Sequence, residues 1–138
     1  MKKIQYSLDQ IDDAAKVFIE DIKNKQIVAL IGGLGAGKTT LVQNILRKMG
    51  VSGPVSSPTF TYFNQYQLSD GTLIYHFDLY RLKSLAEFEA AGFFEYLYLP
   101  NSIAFIEWPE IIDSALNESV CRAKISVVSD TERILEYE

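Results

Sequence analysis

Ile27-Val28-Ala29-Leu30-Ile31-Gly32-Gly33-Leu34-Gly35-Ala36-Gly37-Lys38-Thr39-Thr40 is the stretch that decides the fold. Its first five residues form an unbroken apolar run rich in β-branched side chains, the pattern of a strand covered on both faces, as central parallel strands are. Gly32 to Thr39 then fit G-x-x-x-x-G-K-[ST]. Glycine lets the backbone turn tightly and approach phosphate oxygens closely. Successive N–H groups can then point into an anion-sized hollow, and a helix opening near Lys38 adds its positive end. The Lys38 ammonium can reach the β- and γ-phosphates, and the Thr39 hydroxyl is a hard oxygen suited to Mg²⁺. Thr40 lies in the same turn, so the expected nucleotide-binding stretch is Gly32, Gly33, Leu34, Gly35, Ala36, Gly37, Lys38, Thr39 and Thr40. By residue usage alone such a match arises in roughly one chain of this length in two hundred. The setting therefore matters: a strand precedes the loop, and Leu41, Val42, Ile45, Leu46 and Met49 mark a helix after it, ended by Gly50.

A phosphate loop of this kind needs a carboxylate at the end of a neighbouring strand. Two short apolar runs end in an acid: Ile74-Tyr75-His76-Phe77-Asp78 and Ile103-Ala104-Phe105-Ile106-Glu107. One acid can serve the metal while the other arranges the attacking water or a mobile loop, and Glu107 has the cleaner apolar lead-in. Either alone could equally be a solvated acid at a strand end. His76 is the only histidine. Alternation puts it on the same face as Ile74 and Asp78, where a hydrogen-bonded structural role is favoured over a general base, because phosphoryl transfer asks for positioning more than for basicity.

Further out, Ser7-Leu8-Asp9-Gln10 reads as a capping box opening a helix from about Ser7 to Lys23. Phe60 to Leu68 and Thr72 to Phe77 read as a hairpin around Asp70-Gly71. Ser84-Leu85-Ala86-Glu87 opens a short helix that stops at Gly92, and Pro109 opens a helical turn. Val120 to Val128 and Arg133 to Tyr137 form a last hairpin around Ser129-Asp130-Thr131. The expected fold class is α/β, a small three-layer P-loop NTPase with a mixed, partly parallel central sheet and added antiparallel hairpins.

The chain has 138 residues, 48% hydrophobic and 22% charged, which fits one domain over residues 1–138 with little room for a second. A formal net charge of -5 argues against a large sequence-independent grip on nucleic acid. The aromatic residues Phe60, Tyr62, Phe63, Tyr66, Tyr75, Phe77 and Tyr80 read mostly as cross-strand packing, since Arg81 and Lys83 are the only cations near them. Cys121 is the only cysteine and reads as a core residue, so no internal disulfide forms and a reducing compartment is expected. MKKIQYSLDQIDD lacks the apolar stretch of a signal peptide, and no run approaches a membrane span, so the expected location is the cytoplasm.

GGLGAGKTTLV, SSPTFTYFNQY, YHFDLYRL and FIEWPE occur in that order, and together they resemble the bacterial TsaE (YjeE-like) ATPase family of tRNA threonylcarbamoyladenosine biosynthesis from about Ser7 to Arg133. The P-loop is shared by many families, whereas Ser57-Pro58-Thr59, His76-Phe77-Asp78-Leu79-Tyr80-Arg81 and Glu107-Trp108-Pro109 are more specific. The resemblance implies that Lys38 and the loop amides hold the phosphates of ATP, and that Thr39 and Glu107 serve Mg²⁺. It implies further that Thr59 lies on a switch-like loop facing the γ-phosphate, that Asp78 is needed for hydrolysis and that Trp108 packs beside the site. Arg133 is expected to approach the nucleotide, although the family's usual glycine before this arginine is Glu132 here. A second departure is Gly33, which stands where the family usually has an acid. The implied task is support of N6-threonylcarbamoyladenosine formation at position 37 of tRNAs reading codons that begin with A. The expected partners are the transferase TsaD and its companion TsaB, with little or no direct contact to tRNA and none to a membrane.

Two other readings fit the P-loop. A small-molecule kinase needs an acceptor pocket and usually an arginine-bearing lid, and this chain has only Arg47, Arg81, Arg122 and Arg133 with no lid insertion evident. A non-catalytic module whose ATP-bound shape controls assembly is kept open by Gly33. A GTPase is disfavoured, because no N-K-x-D segment follows the metal-side strand.

Overall fold

The computed structural model describes residues 1–58, 60–117 and 119–138. Among these, seven strands form one mixed sheet in the order β1-β7-β6-β2-β5-β4-β3. Their ranges are β1 Lys2–Ser7, β2 Ile27–Ile31, β3 Phe63–Gln67, β4 Leu73–Asp78, β5 Ser102–Glu107, β6 Cys121–Val127 and β7 Glu132–Tyr137. β2 lies between β5 and β6 and is parallel to both, and β4 is parallel to β5. β3, β7 and β1 add on antiparallel. The mixed α/β character expected from the alternation of patterns is what the chain adopts.

Helices α1 (Ile11–Ile22) and α2 (Lys38–Met49) cover one face. Ala14, Ala15, Phe18 and Ile22 of α1 meet Leu41, Val42, Ile45 and Leu46 of α2 over Val28, Leu30, Ile74, Ile103 and Phe105 of the sheet. Each large side chain buried there contributes about 1.5–3 kcal/mol. The other face carries Ile27, Ala29, Tyr75, Phe77, Ala104 and Ile106, packed under α3 (Leu85–Ala90) and the 3₁₀ segments Phe93–Tyr96 and Pro109–Ala115. That second core is aromatic: Phe93 lies edge-on to Phe63, Phe77 and Phe88.

Several expected boundaries shift. Helix 1 does not begin at Ser7. Lys2–Ser7 is a strand paired with Glu132–Tyr137, Leu8–Gln10 is a 3₁₀ turn and α1 starts at Ile11. The box at Ser7 forms, with the Ser7 N–H donating to Gln10 Oε1 at 3.1 Å, but it caps the short turn rather than the long helix. β3 starts at Phe63 instead of Phe60, because Thr61 and Tyr62 turn back on the Pro58 carbonyl and Tyr62 takes φ 70°. The hairpin turn at Asp70-Gly71 forms as read: Gly71 has φ 93° and Asp70 Oδ1 accepts from the Thr72 N–H at 2.9 Å. Cys121 is buried, and burial pushes its thiol up to about 11, in keeping with an inert core residue. Among the described residues no helix is long and apolar enough to cross a membrane.

Candidate nucleotide and metal site

The loop Gly32–Gly37 leaves the C-terminal end of β2 and feeds α2 at the crevice where open α/β sheets place ligands. Gly35 and Gly37 sit at φ 78° and 99°, a region that favours glycine. Gly32 is glycine for a different reason: a Cβ there would lie 2.9 Å from the Ile125 carbonyl oxygen of β6. Gly33 has neither constraint. Nothing lies within 4 Å of its would-be Cβ, so the backbone accepts a side chain, an acid included, at that position.

Three charged groups converge below the loop although all are nearly shut off from water: Lys38, Asp78 and Glu107 are 5%, 5% and 2% exposed. Register brings the acids together, since Asp78 of β4 stands opposite Glu107 of β5. The Thr39 hydroxyl, in the first turn of α2, lies 2.7 and 2.9 Å from the two Glu107 oxygens. Lys38 folds its ammonium back onto the Gly32 and Gly33 carbonyls, the latter at 3.0 Å, and under the Trp108 ring, 3.7 Å from its centroid. Burial pulls the Lys38 pKa below its ordinary value, and the charges of Glu107, Glu110 and Asp78 oppose that pull. The Asp78 carboxylate accepts from the Tyr80 N–H at 3.1 Å.

These groups line a cavity of about 380 Å³ bounded by Leu34 to Thr40, Asp78, Tyr80, Glu107 and Trp108. Trp108 adopts φ 56°, rare for a bulky residue, which turns the chain sharply as β5 ends and sets the ring against Tyr80 at 4.8 Å. Thus Trp108 borders the cavity while also packing against the second core. Tyr80, one of the aromatics expected to pack, is half exposed at the cavity mouth. Its place two residues after an acid-ended strand is the signal that could have marked it.

Arg133 reaches the loop from β7. Its Nε donates to the Ala36 carbonyl at 3.0 Å, and its Nη1 donates to the Ser129 and Glu132 carbonyls at 2.8 and 3.0 Å. It therefore grips the loop through a backbone oxygen. His76 is fully buried and places Nε2 2.5 Å from Glu107 Oε2, a contact that strand alternation alone does not predict. Thr59 lies outside the described residues.

The donor set suits Mg²⁺. That ion takes hard oxygens and keeps several waters, so it is usually held by one or two protein groups plus substrate phosphates. One hydroxyl and one carboxylate, Thr39 and Glu107, already meet at the loop's end. No cluster of three or more His, Cys, Asp or Glu residues that could cage a metal alone occurs among the described residues.

A family model described as threonylcarbamoyl adenosine biosynthesis protein TsaE matches residues 6–135. The tRNA threonylcarbamoyladenosine biosynthesis protein TsaE of Haemophilus influenzae is 42% identical over 108 residues, 78% of this chain and 67% of that protein. The protein of the same name from Bacillus subtilis is 33% identical over 124 residues, 89% of this chain and 75% of that one. Among solved structures, the crystal structure of Bacillus subtilis YdiB superposes with a TM-score of 0.73 at 26% identity, covering 99% of this chain and 84% of the other.

Proposed function

The chain belongs to the TsaE family of threonylcarbamoyl adenosine biosynthesis proteins, and on that premise we propose that it is a cytoplasmic Mg²⁺-dependent ATPase supporting N6-threonylcarbamoyladenosine formation on tRNA beside a TsaD-like transferase and a TsaB-like companion. The observation that carries this reading is the hydrogen bond from Thr39, one residue past the loop lysine, to Glu107 at the end of the adjacent parallel strand. It joins the phosphate side and the metal side of a P-loop site in one contact.

The amides of Gly32 to Thr40 and the positive end of α2 would hold the phosphates of ATP. Lys38 would exchange two backbone carbonyls for phosphate oxygens, a stronger partner for a cation out of water. Thr39 and Glu107 would hold Mg²⁺, which supplies charge neutralisation between the phosphates. Asp78, opposite Glu107, would orient the attacking water. Arg133 would keep the loop open from outside through Ala36. Catalysis in such a site comes from positioning and charge, and the buried cation is worth more where water is excluded.

ATP turnover of this chain, alone and with the transferase complex, with Mg²⁺ and with chelator, tests the reading. Inorganic phosphate released only with Mg²⁺, and faster with the complex, is expected. A phosphorylated small molecule as product would make the chain a kinase. Tight ATP binding with no turnover in any arm would make it an assembly module.

A further inference from the structure

We propose that His76 is a positioning residue, which from inside the core fixes the Glu107 carboxylate toward Thr39 and thereby sets how well the site takes Mg²⁺. The proposal rests on the reading of Glu107 as the metal-side acid.

The geometry is that of a dedicated contact. His76 and Glu107 are 0% and 2% exposed, and Nε2 lies 2.5 Å from Oε2. Register makes the meeting possible. His76 stands opposite Phe105 on β5, two residues before Asp78, which stands opposite Glu107. Alternation then puts the imidazole on the α2 side with Ile74 and Phe105, where it reaches diagonally to the carboxylate. A carboxylate only accepts, so the proton of this hydrogen bond sits on Nε2. Nδ1 is buried and has no hydrogen-bond partner among the described residues.

That imbalance argues against a histidine kept for packing. A structural histidine usually satisfies both nitrogens, and an apolar side chain would fill the same space without burying an unpaired one. Among the described residues Nδ1 has no partner, while Nε2 aims at a single carboxylate. Glu107 needs that partner. Thr39 has one hydroxyl proton to share between two oxygens, and a metal-bound hydroxyl oxygen turns its lone pair elsewhere. Without His76 the buried carboxylate would be anchored only by the group that must also face the ion. Outer partners of this kind change metal affinity by about 10–100-fold when removed.

The test uses the full chain with ATP bound, titrated with Mg²⁺ and read by nucleotide affinity, alongside affinity measured in chelator. Four proteins are compared: the parent, His76→Phe, His76→Gln and Glu107→Ala. His76→Phe keeps a planar ring and loses the N–H, and His76→Gln restores an N–H at the same remove from the backbone. His76→Phe is expected to raise the half-saturating Mg²⁺ concentration about 10–100-fold, with affinity in chelator unchanged, and His76→Gln to recover most of the loss. If His76→Phe overlays the parent while Glu107→Ala is shifted, His76 does not position the acid. His76→Gln performing as poorly as a folded His76→Phe also overturns the proposal. If Glu107→Ala itself overlays the parent, the metal-side reading of Glu107 falls first. Should His76→Phe fail to fold, ¹⁵N-resolved NMR of the one imidazole in the parent decides. A proton on Nε2 supports the proposal, and a bare Nε2 overturns it.

Discussion

β4 and β5 are buried at every position from Ile74 to Asp78 and from Ile103 to Glu107, whereas β6, β7 and β1 alternate buried with wetter positions. The parallel centre is covered on both faces, so its only polar side chains in those spans, His76, Asp78 and Glu107, are desolvated and must find partners. They find one another, Thr39 and the Lys38 charge. The antiparallel margin turns its charges outward and pairs them at the rim, as Lys2 does with Asp21. Yet the margin also holds the loop: the Ile125 carbonyl limits Gly32 and Arg133 holds Ala36. Buried charge is concentrated where strands end in the centre, and the outer strands fix the shape of the loop beside it.

Five substitutions probe that division. Lys38→Ala, at the centre, should lower partner-stimulated ATP turnover by about 10²–10³-fold or more, because the transition-state charge loses its nearest cation; phosphate release in the presence of the transferase complex checks it. Turnover equal to the parent would remove Lys38 from the mechanism.

Gly32→Ala and Gly33→Ala place the same methyl group at adjacent loop positions. The first drives a Cβ against the β6 backbone and should cost about 1–3 kcal/mol. The second enters open space and should stay within about 0.5 kcal/mol. Urea denaturation compares them, and equal midpoints would mean that the margin does not constrain the loop.

Arg133→Ala removes the donor to Ala36 along with those to Ser129 and Glu132. At about 0.5–1.5 kcal/mol per hydrogen bond, with water replacing those lost at the surface, a net loss of about 1 kcal/mol is expected. Nucleotide affinity should weaken several-fold, roughly what that energy corresponds to if the loop must be re-ordered on binding. Calorimetric titration with ATP reads the second effect, and unchanged affinity would confine Arg133 to the hairpin.

Asp21→Asn should have the smallest effect. A hydrogen bond from Lys2, then one from Tyr137, holds the Asp21 carboxyl below its ordinary value. A depressed carboxylate stabilises the fold above its unfolded pKa of about 3.9, and the gain is lost as pH falls through the lower folded value. Parent and variant should therefore differ slightly near neutrality and converge in strong acid. Urea midpoints across that range test it, and a gap that persists in acid would assign the effect to something other than the charge.

The parts of the fold legible beforehand are those with local causes. β2, α2, β4 and β5 were readable because uniform apolar runs and helical spacing report burial directly, and the Asp70-Gly71 turn because its conformation belongs to its own two residues. β1 was not: in Lys2–Ser7 only Tyr6 is buried, and the strand exists through a ladder to Glu132–Tyr137 at the far end of the chain. The start of β3 was hidden by Tyr62, whose positive φ no side-chain preference announces.

The sequence determined that a phosphate-binding loop lies between a buried strand and a helix, with two acid-ended strands elsewhere, because glycine spacing, an adjacent lysine and threonine, and apolar runs are properties of contiguous residues. The family resemblance had paired Thr39 with Glu107, but it took the assembled sheet to show that their side chains meet, that His76 points at the acid, and that Arg133 and the β6 backbone brace the loop. Those contacts join residues 31 to 97 positions apart. Their partners are set by strand order and register, which arise when the whole sheet assembles and leave no mark at either end alone.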